Sequence, residues 1–217
     1  MPKWFKTIVA LVLLPVCVGA GWALERVVRA SGSAETIWVA GLSGAACWLV
    51  IYLLLPKPMW VYVVGHEFTH ALWTWLFGGR VKRFKASAKG GHVVVTKNNF
   101  LIALAPYFFP LYAVLVVAIF LTGQFVWDWH KYFVWFHLLL GAAYSFHVTL
   151  TGHVLKTNQS DIRDQGYLFS AVVIFLGNVL VLLIGIPLLT GQPQVSRALG
   201  WWWECTLSVL QFGASFK

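Results

Sequence analysis

His66, Glu67 and His70 stand in the order His-Glu-x-x-His. Residues four apart on a helix share one face and sit about one turn apart. Two imidazoles at that spacing can hold one Zn2+, and Glu67 can act as general base towards water at the metal. Zinc lowers the pKa of its water towards ~7, so hydroxide becomes available to attack a carbonyl. The chemistry on offer is hydrolysis of a peptide bond, with Glu67 catalytic and His66 and His70 as ligands. With seven His in 217 residues, chance gives such a match in roughly one chain in a few hundred, so its setting matters too.

That setting is strongly apolar. Of the 217 residues, 59% are hydrophobic and 11% charged, against about a quarter charged in soluble domains. Too few polar side chains exist to cover a water-facing surface. Bilayer solvent accounts for the composition, and it favours helices, which satisfy their own backbone groups. Thirteen Trp fit the membrane–water boundary, where indole rings concentrate.

A crossing needs roughly 20 apolar residues. Candidate spans are 7–24, 37–55, 59–77, 100–121, 132–154 and 167–189. The first exceeds the ~7–15-residue core of a signal peptide, and a retained span is expected. The expected fold is all-α integral membrane, with about six transmembrane helices in a single polytopic domain over 1–217. The motif lies in the span 59–77, where a carboxylate at mid-membrane would cost roughly 2.5–3.5 kcal/mol unless it faces a cavity or partner. Pro106 and Pro110 should kink the fourth span and free carbonyls near them.

The stretch 78–99 does not cross. It carries Arg80, Lys82, Arg83, Lys85, Lys89 and Lys97, and Gly90-Gly91 breaks it. Val81 and Phe84 before the break and Val93 to Val95 after it predict a short membrane-associated β-hairpin. The 200–217 tail, with Trp201, Trp202 and Trp203, is too short to span and reads as interfacial. The net charge of +9 comes largely from juxtamembrane cations that set topology and meet anionic lipid, so no nucleic-acid partner is expected. Ten basic residues fall on the hairpin side and six on the other, which places the hairpin on the cytoplasmic side of the cell membrane. Cys17, Cys47 and Cys205 lie far apart and suggest neither a disulfide framework nor a C-x-x-C metal site.

A catalytic zinc takes a third protein ligand. Asp161 is the first choice, because it falls between the fifth and sixth spans on the side of the motif helix's C-terminal end. Asp164, three residues on, is an alternative ligand or a partner of one; for both aspartates the bland reading is a solvated loop carboxylate paired with Arg163 and Lys156. His147 is the competing donor, seven residues from its span's end as His70 is from its own; a hydrogen-bonded packing role is the commoner fate of a lone His. His153, near the same membrane face, ranks below His147, and His92, His130 and His137 receive no role.

The run Gly65-His66-Glu67-Phe68-Thr69-His70-Ala71, followed by Phe77-Gly78-Gly79-Arg80-Val81, resembles the site-2 protease family of intramembrane zinc metalloproteases. The resemblance covers residues 61–110 and, weakly, 158–166. It implies zinc as cofactor, His66 and His70 as ligands, Glu67 as catalytic base and a later aspartate as third ligand. Where that family usually has an Asn, prolines and Asp-Gly-Gly, this chain has His153 eight residues before Asp161 and a displaced Gly166, so it reads as a divergent member.

The expected function is hydrolysis of a peptide bond in or near a transmembrane segment of a membrane-protein substrate. The hairpin edge near Val93 to Thr96 could hold such a segment extended by strand addition; packing on lipid head groups is the alternative. A non-catalytic protein that binds membrane clients is a second reading. A metal-dependent membrane oxidoreductase is a third, weakened because no His-His pair accompanies His66 and His70. No regulatory partner is named by the sequence.

Overall fold

The computed structural model describes residues 2–87 and 90–214; Lys89 of the basic stretch and Lys217 of the tail lie outside them. The described chain runs α1 (Lys3–Ala30), α2 (Glu35–Leu54), α3 (Met59–Leu76), β1 (Val81–Ser87), β2 (Gly90–Val95), α4 (Phe100–Phe108), α5 (Leu111–Trp127), α6 (Phe133–Val154), α7 (Ser160–Gln165), α8 (Tyr167–Thr190) and α9 (Val195–Ala214). Packing divides it into two compact units, one of Met1–Glu35 with Ser160–Lys217, the other Thr36–Gln159.

In the Thr36–Gln159 unit, α2 and α6 meet along glycine. A side chain at Gly44 would overlap the Leu138 carbonyl, and one at Gly141 would overlap the backbone of Gly41. Small residues of this kind let apolar helices approach backbone to backbone. Trp48 Nε1 donates to Thr149 Oγ1 at 2.8 Å and Ser145 Oγ to the Ala45 carbonyl at 3.2 Å, tying the same seam with hydrogen bonds.

The motif helix α3 packs against α4, α5, α6 and both strands. Its buried residues are Tyr62, Gly65, Glu67, Thr69, His70, Ala71 and Thr74. Its exposed face carries Trp60, Val64, Phe68, Trp75 and Leu76. Polar groups face protein and apolar groups face outward, the reverse of a soluble amphipathic helix. Gly78, at φ +69°, ends it: the Gly78 and Gly79 N–H groups bond back to the Trp75 and Thr74 carbonyls at 2.8 Å each.

The hairpin forms as an antiparallel pair, with Phe84 opposite Val93 and an irregularity between Val81 and Arg83 that leaves Lys82 as a bulge. One expectation is corrected. Gly90 and Gly91 are not the break but the start of β2, paired with Ser87 and Ala86. They read as turn residues because glycine usually marks turns; here Gly91 serves a close approach described below.

The expected fourth span is two helices, α4 and α5, bent by 72° at their junction. Pro110, lacking an N–H, stands at that break. Asn99 caps α4, its Oδ1 accepting from the Ile102 N–H at 2.9 Å.

In the other unit, α1, α8 and α9 share a core of Ala20, Ala23, Val27, Val179, Leu183 and Ala198. Trp202 Nε1 donates to the Val16 carbonyl at 3.2 Å. Lys6 is buried along its stem, its ammonium donating to Gln165 Oε1 at 2.6 Å. The C-terminal segment is a 20-residue helix that begins at Val195 and packs along α1 and α8.

Four described helices are long and apolar enough to cross a membrane: Lys3–Ala30, Glu35–Leu54, Trp129–Val154 (α6 with the short 3-10 turn before it) and Tyr167–Thr190. A fifth is counted if the bent α4–α5 pair is one span. These helices fit a multi-pass membrane protein. The motif helix is not among them, because His66, Glu67 and His70 lower its mean hydropathy.

Candidate metal centre

His66 and His70 stack on α3 with ring centroids 4.9 Å apart and planes at 79°. The i,i+4 spacing thus does what the sequence predicts, bringing both rings to one side of one helix. Tyr62 and Tyr107 flank His66, at 5.8 and 5.2 Å between centroids. Tyr107 is fully buried, and its hydroxyl donates to Gln159 Oε1 at 3.5 Å.

His70 is held from outside its own helix. Its Nδ1 lies 2.9 Å from the carbonyl oxygen of Ile102 on α4. A carbonyl only accepts, so Nδ1 is the donor. In a neutral ring Nε2 then keeps its lone pair, the form in which it could ligate a metal.

Glu67 is buried at 7% exposure, and the hairpin closes over it. A side chain at Gly91 would stand 2.7 Å from Glu67 Cγ, 3.0 Å from its Oε1 and 2.7 Å from the Lys85 carbonyl oxygen. Only a residue without a Cβ brings β2 this near the carboxylate. Gly65 performs the same service on α3, where a side chain would come 2.6 Å from the Tyr112 ring. Tyr112 in turn donates its hydroxyl to the Val61 carbonyl at 2.5 Å.

Within the Thr36–Gln159 unit His66 and His70 offer two donors to a metal ion; Asp161, the expected third, belongs to the other compact unit. Two imidazoles on one helix face are donors suited to a metal ion, and a catalytic zinc would take a third protein ligand. Asp161 lies in the first turn of α7, a short helix of its own in the stretch the sequence places between the fifth and sixth spans. Asp164 is exposed, with Arg163 Nε 3.5 Å from its Oδ1.

His147, the competing donor, is not grouped with His66 and His70 as a ligand. It is buried on α6, and with Tyr62, His66, Thr69 and Tyr112 it lines a small cavity. Its Nε2 meets no hydrogen-bond partner among the described residues. The cavity is polar at that end and large enough for a water molecule, which could serve both His147 and its neighbours.

The Ile102 carbonyl and Gly91 are contacts of this centre that sequence reasoning did not assign to it. The proline at 106 signalled freed carbonyls, but nothing in the sequence says which side chain takes one. Comparison with known proteins returns no matching family model, no similar curated protein and no similar solved structure.

Proposed function

We propose that the chain is an intramembrane zinc metalloprotease, a divergent protein of the site-2 protease kind, that cuts a peptide bond in or near a transmembrane segment of another protein. The observation that carries this reading is the placing of two imidazoles and a buried carboxylate on the protein-facing side of a helix whose other side is apolar. Ionisable groups in such a position are functional by default, because burying them without a task is costly.

In this reading His66, His70 and Asp161 hold the ion, His70 through Nε2. A bound zinc supplies Lewis acidity to polarise the scissile carbonyl. Glu67 takes the proton from the attacking water and returns it to the departing amide nitrogen. Its burial beneath the hairpin keeps bulk water from solvating the carboxylate, so it remains a competent base. The hairpin edge offers unpaired backbone groups to an unwound substrate segment, and Gly91 brings that strand beside the acid. The motif helix is taken as a sixth crossing, since its exposed residues are those a lipid-facing surface requires. The hairpin is taken to lie at the cytoplasmic face.

The test is Glu67→Gln in the full chain, co-expressed with a single-span reporter protein and also purified for metal analysis. Cleavage should fall by ~10²–10⁴-fold while one zinc per chain is retained. A zinc-free wild type would refute the metal centre. Unchanged turnover with zinc in place would leave a client-binding protein without catalysis.

A further inference from the structure

We infer that Pro106 is a positioning residue for the metal centre: it leaves the Ile102 carbonyl to His70 and thereby sets which nitrogen of that ring faces the ion. This rests on the zinc reading above and extends it to a residue four positions along a different helix.

In an α-helix the N–H of residue 106 would bond the carbonyl of residue 102. Both residues lie inside α4, Phe100–Phe108, and proline has no N–H. Ile102 is 2% exposed, so its carbonyl has no bulk water to turn to and must find a partner within the protein. The partner is His70 Nδ1 at 2.9 Å. The same peptide-bearing residue is pinned from the other side, its N–H donating to Asn99 Oδ1 at 2.9 Å. Asn99, Ile102 and Pro106 thus form a fixed acceptor: a cap anchors it, and a missing donor frees it.

A simpler role for Pro106 would be to break the helix. The structure assigns that role elsewhere. The chain continues helically past Pro106 to Phe108, and the Phe109 N–H still bonds the Ala105 carbonyl at 2.8 Å. The 72° bend follows at Phe109 and Pro110. Pro106 therefore sits in a helix it does not end, and the carbonyl it leaves open is used.

The experiment is Pro106→Ala in the full chain, purified in detergent, with zinc affinity measured by competition against a chelator of known affinity. Alanine supplies the missing N–H, which competes with His70 for the Ile102 oxygen. Zinc should bind about 10–100-fold more weakly, while the unfolding temperature stays level or rises, because proline to alanine favours a helix interior. A folding residue would show the opposite pairing. Unchanged zinc affinity overturns the inference, as does a loss of affinity that comes with a lowered unfolding temperature. Asn99→Ala is the companion variant: it should lower stability through the lost cap, with a smaller loss of zinc affinity than Pro106→Ala. A wild-type chain that binds no zinc removes the parent reading instead, and the two failures are distinct.

Discussion

The helices α3 and α8 bury opposite kinds of residue. From α8, the most apolar of the candidate spans, the interior receives Phe169, Val172, Val179, Leu183 and Pro187, with Ser170 its one polar buried side chain. From α3 it receives Glu67, Thr69, His70 and Thr74 among its seven buried residues. Both helices turn large apolar side chains outward, Tyr167, Phe175 and Leu188 from α8 and Trp60, Phe68 and Trp75 from α3. Hydropathy averaged along a helix therefore finds the one with an apolar interior face and passes over the one that carries the His-Glu-x-x-His motif. What the two share is the outer face, and that face is what a bilayer would meet.

The contrast can be broken by substitutions that confuse a packing role with a chemical one. The largest effect is expected at the proposed third ligand. Asp161→Ala should weaken zinc binding by about 100-fold or more, and Asp164→Ala by less than about threefold. Equal losses in a chelator titration would end the assignment of Asp161. Next comes Leu183→Ala in the apolar core, expected to cost about 2–4 kcal/mol in denaturant or thermal unfolding. Zinc affinity of the folded fraction should be unchanged, and a loss of metal would mean the packing and chemical regions are not separable. The smallest effect sharpens the comparison within the site itself. Gly91→Ala should lower turnover roughly tenfold, through displacement of Glu67 or spreading of the strands, with zinc affinity held. A variant that cleaves the single-span reporter at the wild-type rate would show that the hairpin's approach to the acid is dispensable.

Much of this was legible in advance where the signal is local. The four-residue spacing places His66 and His70 on one face, and alternation of Val81, Phe84 and Val93 to Val95 with charge marks the hairpin. The prolines of 100–121 announce both a bend and free carbonyls. Less legible were features set by contacts distant in sequence. The bond from His70 to Ile102 joins residues 32 apart, and a proline says only that a carbonyl is open. Gly90 and Gly91 carry a turn signal, yet both pair within β2, where Gly91 stands against Glu67. Asp161 reads as part of a connection between spans, and the short helix α7 that carries it, set off from α8 by Gly166 at φ +95°, has no apolar run to announce it. The C-terminal helix begins at Val195, beyond Pro193, and the tryptophans that dominate its sequence conceal that earlier start.

The glycine contacts between α2 and α6 carry a further consequence. Where Gly41 meets Gly141, two main chains touch with no side chain between them, so the join has no slack to give up. A single added methyl at Gly44 or Gly141 would overlap the facing main chain and prise the helices apart. That side of the bundle is joined by the omission of atoms.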